Sequence, residues 1–304
     1  MLNRRHLRVK VLQSLYAFFQ SHNTDITAGE NELLHGIGKI HDMYIYQLSL
    51  LAELLAQEEK VINDNMTKRL PSQEDLHPNR RFLENACLDM IAGSTELRKI
   101  ADERHIHWRD EAEMVRKLLQ TIKKQPYYKD YMAQEASGFH EDSRFVLKMI
   151  KKNILPFEAL HHFYEEKSIY WIDDWELVNK MLVKTLKLAE EQQQTLQIMP
   201  LFKDSSDREF SIELFRRSIL NHSEYNAIIS EKAMNWDVER IAMMDMIIME
   251  MALTEILKFP EIPVKVSLNE YIELSKMYST PKSKVFVNGV LDKLVEEFAR
   301  DRLI

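Results

Sequence analysis

The sequence predicts an all-α protein, and three observations carry that prediction. Glycine and proline are scarce, 6 and 8 in 304 residues, so the backbone has few punctuators. Leu, Glu, Lys and Met, all strong helix formers, fill much of the rest. Apolar residues recur at three- and four-residue spacing in one segment after another, the period of a helix with one buried face. The best rival, 262–266, is too short for a strand to be read from it and contains Pro263.

Each helix follows from that period. Leu7, Val11, Leu12, Leu15, Phe18 and Phe19 define a helix over 4–20, with Asn3 placed to cap it. Leu33, Leu34, Ile37, Ile40, Tyr44, Leu48, Leu51 and Leu55 define one long helix, or two with a kink, over 30–66. Pro71 and Pro78 then bracket a polar loop. Further helices are expected over 80–103, 110–124, 141–153, 156–166 and 173–196, divided by breaks such as Gln125-Pro126 and 203–207. The last part of the chain should hold helices at 208–220, 224–233 and 237–258 and a C-terminal pair. Ser267 with Glu270 reads as a capping box, and Thr280 with Pro281 as the cap and first position of the final helix. Met243, Met244, Met246, Ile247, Ile248, Met249 and Met251 make the 237–258 helix apolar nearly all round, which predicts a central buried position.

The middle of the chain partly repeats its end. An offset of 65 residues lays Asp142, Phe145, Ile154, Leu155, Glu166, Lys167, Trp171, Met181 and Leu188 over identical residues at 207, 210, 219, 220, 231, 232, 236, 246 and 253. A partial duplication over 142–188 of the three-helix segment that follows is the expectation.

Charge and cysteine usage bound the function. The net charge is −7 and the isoelectric point is near 5.9, which taken globally argues against a nucleic-acid binder. Locally the balance reverses: Arg4, Arg5, Arg8 and Lys10 meet no acidic residue before Asp25, forming a basic island. Cys87, the single cysteine, leaves no internal disulfide and reads as a buried thiol. No apolar stretch has the length of a membrane span and no leader pattern opens the chain, so a cytoplasmic location without membrane contact is expected.

Enzyme chemistry finds little material. The Gly-rich phosphate loops and the G-x-S-x-G elbow are missing. His105, His107, His161 and His162 do not fall at metal-ligand spacing on a helix. Asp173, Asp174 and Glu176 suit a helix start, where carboxylates complement the dipole. No catalytic residue, metal or cofactor is assigned.

Three segments resemble the NusB family of transcription antitermination factors. They are RRHLRVKVLQSLYAF at 4–18, FRRSIL at 215–220 followed by NWDVERIAMMDMIIMEMALTEIL at 235–257, and IPVKVSLNEYIELSKMYSTPKSKVFVNGVLDKL at 262–294. The third is the most specific, because its Pro-x-Lys-Val, Asn-Glu-x-x-Glu-Leu and Phe-Val-Asn-Gly-Val-Leu-Asp-Lys elements stand in family order and spacing. The resemblance covers 1–24 and 207–304. It implies a helical bundle of two subdomains, enlarged here by an inserted helical region at 25–206.

It also implies a function: binding of boxA-type single-stranded RNA together with the ribosomal protein NusE, and through them action on the RNA polymerase elongation complex at ribosomal RNA operons. Two rivals stand beside it, a helical scaffold that works through the insertion and an RNA-binding module like that of ribosomal RNA methyltransferases. By resemblance Tyr16, Tyr278 and Phe286 fall where the family contacts RNA or its partner, and Asp245 near the NusE contact; the expected RNA contacts are these three aromatics with Arg4, Arg5, Arg8, Lys10, Lys282, Ser283 and Lys284, and the expected protein contacts are Gln13 and Asp245. Guanidinium groups on a first helical turn can fork onto phosphates and stack on bases. A helix start flanked by Lys282 and Lys284 attracts phosphate, and Tyr278 and Phe286 offer flat faces. Plainer readings are a solvated basic helix, packing of Phe286 with Val290 and Leu294, and an Asp245–Arg240 salt bridge. Lys282, where the family often has an acid, Ser279 in place of a common glycine, and His6 within the arginine set depart from the family pattern.

Overall fold

The computed structural model describes residues 2–134, 138–191, 195–233 and 241–298. Every regular element among them is helical, and none of the helices is long and apolar enough to cross a membrane. The chain divides into two units, 1–37 with 202–304, and 38–201.

The first unit contains α1 (Arg4–Gln20), the beginning of α2 (Ile26–Met66), α11 (Ser205–Leu220), α12 (His222–Lys232), α13 (Met243–Lys258), α14 (Val264–Tyr278) and α15 (Ser283–Phe298). Asn3 caps α1: its side chain accepts from the His6 N–H, and the His6 ring accepts from the Asn3 N–H. The apolar stripe of α1 is buried from Leu7 to Phe18. α13 is the central helix, with Ile247, Ile248, Met249, Met251, Ala252, Leu253 and Ile256 all buried. α1, α11, α12, α14 and α15 all pack on it. Where α2 begins, a Cβ on Gly29 would stand 2.8 Å from Phe215 and 2.9 Å from Phe18, so only glycine permits that approach.

The second unit holds the rest of α2, followed by α3 (Gln73–Leu76), α4 (Ala86–Gly93), α5 (Thr95–Glu103), α6 (Ala112–Lys123), α7 (Pro126–Met132), α8 (Phe139–Met149), α9 (Glu158–Lys167) and α10 (Trp175–Glu191). α8 runs on into a π-helical turn, Ile150–Ile154. The core gathers Met43, Tyr44, Leu48 and Leu51 of α2 with Leu118, Ile122, Leu182 and Leu186. Tyr46, Trp108, Phe163, Tyr164 and Trp171 form a cluster of edge-to-face and tilted rings. The Asp142 carboxylate is buried and accepts from Arg81, the Tyr131 hydroxyl and the Ala86 N–H, each at 2.8 Å. Cys87 is fully buried.

Helix ends shift by a few residues, as where the helix expected over 237–258 starts at Met243 and the one expected over 173–196 runs Trp175–Glu191, and four expectations differ more. The helix expected over 80–103 is two, divided at Ser94, because Asn85 and Ser94 each turn a side-chain oxygen back to cap a new helix start. The loop between Pro71 and Pro78 holds the short α3, capped by Ser72. Ser267 and Glu270 do not form a capping box: α14 starts at Val264 behind Pro263, and both side chains reach other helices instead. Thr280 and Pro281 form the turn before α15, whose first hydrogen bond to that turn joins the Ser283 N–H to the Thr280 carbonyl.

Candidate nucleic-acid interface

The basic start of α1 rests on an acidic set supplied by α13 and α14. Arg8 is buried and forks onto Glu255 with two hydrogen bonds of 2.7 Å. Ser267 and Tyr271 donate to the same carboxylate at 2.6 and 3.0 Å, so Glu255 is fully solvated by protein. Burial alone would lower the Arg8 pKa, but its hydrogen bond to Glu255 and the surrounding negative groups hold it above the ordinary arginine value. Burial, with Glu255 adding to it, pushes Tyr271 well up, so its phenol stays a donor.

Arg5 and Arg4 are nearer the surface. Arg5 is about half exposed and forks onto Glu270 at 2.8 and 2.6 Å, which holds that carboxyl below its ordinary value. Arg4 lies 3.6 Å from Asp207 and 3.8 Å from Glu261, with its guanidinium 4.9 Å from the centre of the Phe210 ring. Tyr16 is half-buried; it stands eleven residues beyond Arg5, three turns and about 16 Å along the same face of α1. Lys10 is buried and Gln13 half-buried.

At the other end of α14 a chain of hydroxyls forms. Ser283 is buried and donates to Asp245 at 2.7 Å. That leaves Ser283 to accept from Ser279 at 2.9 Å and from Thr280 at 2.8 Å. Lys282 and Lys284 project from this turn, exposed and unpaired among the described residues. Tyr278 is half-buried beside them, and Phe286 is buried, as the packing reading required. The second oxygen of Asp245 has no partner among the described residues; Arg240, weighed as its counter-ion, lies outside them, as do Asn235, Trp236 and Asp237.

The structure therefore divides the expected contact residues. Arg4, Arg5, Tyr16, Tyr278, Lys282 and Lys284 reach the surface at least in part. Arg8, Lys10, Ser283 and Phe286 do not, and the first and third are committed to internal carboxylates. α14 links the two ends of the surface: Glu270, which holds Arg5, and Tyr278 are eight residues, about 12 Å, apart on it. Sequence reasoning missed Glu255 and Tyr271, and it read Ser267 and Glu270 as a local cap. The available signal was a cluster of acceptors on the two helices beside an arginine-rich one.

The NusB family model matches residues 173–296. A relative named transcription antitermination protein NusB, from Salinibacter ruber, is 46% identical over 107 residues, 35% of this chain and 67% of its own length. Relatives of the same name from Alkaliphilus oremlandii and Chloroherpeton thalassium are 37% and 38% identical over 94 residues, each 31% of this chain, and are covered over 68% and 44% of their own lengths. No solved structure matches. A domain-level model match and an identity of this size over two thirds of a relative place the protein: the chain belongs to the NusB family.

Proposed function

We propose that the protein is a transcription antitermination factor that holds boxA-type single-stranded RNA together with NusE and acts through them on the RNA polymerase elongation complex. It is a binding protein and carries out no catalysis. The observation that carries the reading is the surface around α14, where Lys282 and Lys284 stand exposed beside Tyr278, unpaired among the described residues, at one end and Arg4 and Arg5 stand part-exposed at the other. Phosphates would meet the lysines and the helix start, and an unpaired base would stack on Tyr278. Arg8, Ser283 and Phe286 act from beneath, fixing α1 and the turn before α15 in place. Gln13, half-buried on α1, is the proposed NusE contact, whereas Asp245 is buried and acts from beneath by holding Ser283.

Filter binding on boxA-like RNA, with and without NusE, tests this. Some five phosphate contacts should give a log–log salt slope of about −3 to −4. Replacing Lys282 and Lys284 by Ala should flatten that slope by about one unit or more, and Arg4→Ala with Arg5→Ala should do the same. A slope unchanged by both pairs removes this surface from the reading.

A further inference from the structure

The 65-residue offset seen in the sequence also brings helices of the two units into register. α8 with its π turn, α9 and α10 span 139–154, 158–167 and 175–191; α11, α12 and α13 span 205–220, 222–232 and 243–258. The buried aspartate near the start of each set meets an arginine, Asp142 with Arg81 and Asp207 with Arg4. Each arginine also covers a ring, Tyr131 at 4.3 Å and Phe210 at 4.9 Å. α4 packs on α8 as α1 packs on α11.

Beyond that point the two sets part. In the first unit α14 and α15 pack on α13, where Asp245, Ile248, Met249 and Ala252 are buried. The offset puts Lys180, Val183, Lys184 and Lys187 of α10 at those positions. There the lysines are exposed, and Val183 lines an open groove of about 550 Å³ with Leu155 and Trp175. Lys180 is held by Glu176 at 2.6 Å, and Lys184 has no acidic partner among the described residues. Asn179 is buried at the groove wall: its amide N–H donates to the Trp175 carbonyl at 2.7 Å, and its oxygen accepts nothing among the described residues.

We infer that this face of α10 docks an amphipathic helix of a protein partner. The partner's apolar stripe meets Leu155, Trp175 and Val183, and its carboxylates meet Lys180, Lys184 and Lys187. The apolar floor suits side chains that leave water on docking. The lysines follow one another at four and three residues, about 10 Å in all, a spacing that acidic residues on a second helix reproduce. Among the described residues the groove's charged lining is three lysines against one glutamate, so charge selects an acidic partner. A nucleic-acid strand fits less well. Among the described residues Trp175 is the only aromatic one lining the groove, and its ring is already 4.3 Å from that of His161 and 5.6 Å from that of Tyr164, whereas strand binding needs successive open rings.

The test titrates the full-length chain, by fluorescence anisotropy, into labelled peptides of about 18 residues, long enough for five helical turns. One peptide carries leucines along one face and glutamates at its edges, a second has lysines in place of the glutamates, and a third is a scrambled form of the first. The acidic peptide should bind saturably and at least tenfold more tightly than the other two. The double variant Lys184→Glu, Lys187→Glu, checked for folding by circular dichroism, should lose at least tenfold for the acidic peptide and gain for the basic one. Its affinity for boxA-like RNA should be unchanged, which separates this inference from the RNA reading. No saturable binding of the acidic peptide, equal binding of the scrambled one, or binding indifferent to charge reversal overturns the inference. So would concentration-dependent self-association abolished by the double variant, which would make a second copy the occupant, or single-stranded RNA competing the acidic peptide away from the groove.

Discussion

Arg81–Asp142 in one unit and Arg4–Asp207 in the other join the same residue types at positions related by the sequence offset on the acidic side, yet they are different interactions. The first is sealed, with exposures of 6% and 2%, and Asp142 also holds a phenol and a backbone N–H. The second is open, with exposures of 33% and 11% and a separation of 3.6 Å. Pairing is common to both, and burial decides what the pair does. A sealed charge must be matched or the fold fails around it, whereas an open one remains exchangeable with a solvent ion or a phosphate.

The largest effect should come from Asp142→Ala, which orphans Arg81 and two hydrogen-bond donors and should cost about 3–5 kcal/mol in urea denaturation. Arg8→Ala, which strands Glu255 in the first unit, should cost a similar amount, about 3–5 kcal/mol, and would extend the rule to both units. Glu250 comes next. It is buried, and burial pushes its carboxyl up to about 7, against a lowering from His222 at 2.9 Å. The folded state holds this proton to about pH 7, whereas the unfolded chain releases it near 4.5. Stability from this group is therefore full below pH 4.5 and declines as the pH rises through 7. Glu250→Gln should remove that decline and gain about 1–3 kcal/mol at pH 8, with little change at pH 4. Asp207→Ala should be mildest, at most about 1 kcal/mol. If it costs as much as Asp142→Ala, burial is not the deciding variable.

How much of this the sequence disclosed depends on the range of the interaction involved. The bounds of α1 and its Asn3 cap were legible, since both follow from residues within one turn. The central burial of α13 was legible from its all-round apolar pattern. The fate of Arg8 was not, because its counter-ion is 247 residues away and a basic residue on an amphipathic helix gives no sign of it. Ser267 and Glu270 misled for the same reason: their spacing is that of a cap, while their partners are Glu255 and Arg5 on other helices. The division at Ser94 could have been found, since Asn85 and Ser94 are both good capping residues inside one expected helix. The π turn after α8 has no local signature here, and periodicity alone reads it as ordinary helix.

Cys87 offers a further use for the sealed interior of the second unit. As the only thiol in the chain, and one with no exposed surface, it can meet a reagent only when the packing around α4 opens. The rate at which a thiol reagent titrates the native protein is thus an intrinsic gauge of local opening in that unit. No label need be introduced, and destabilising α4, whose first N–H is held by Asp142, should quicken the reaction before the first unit is disturbed.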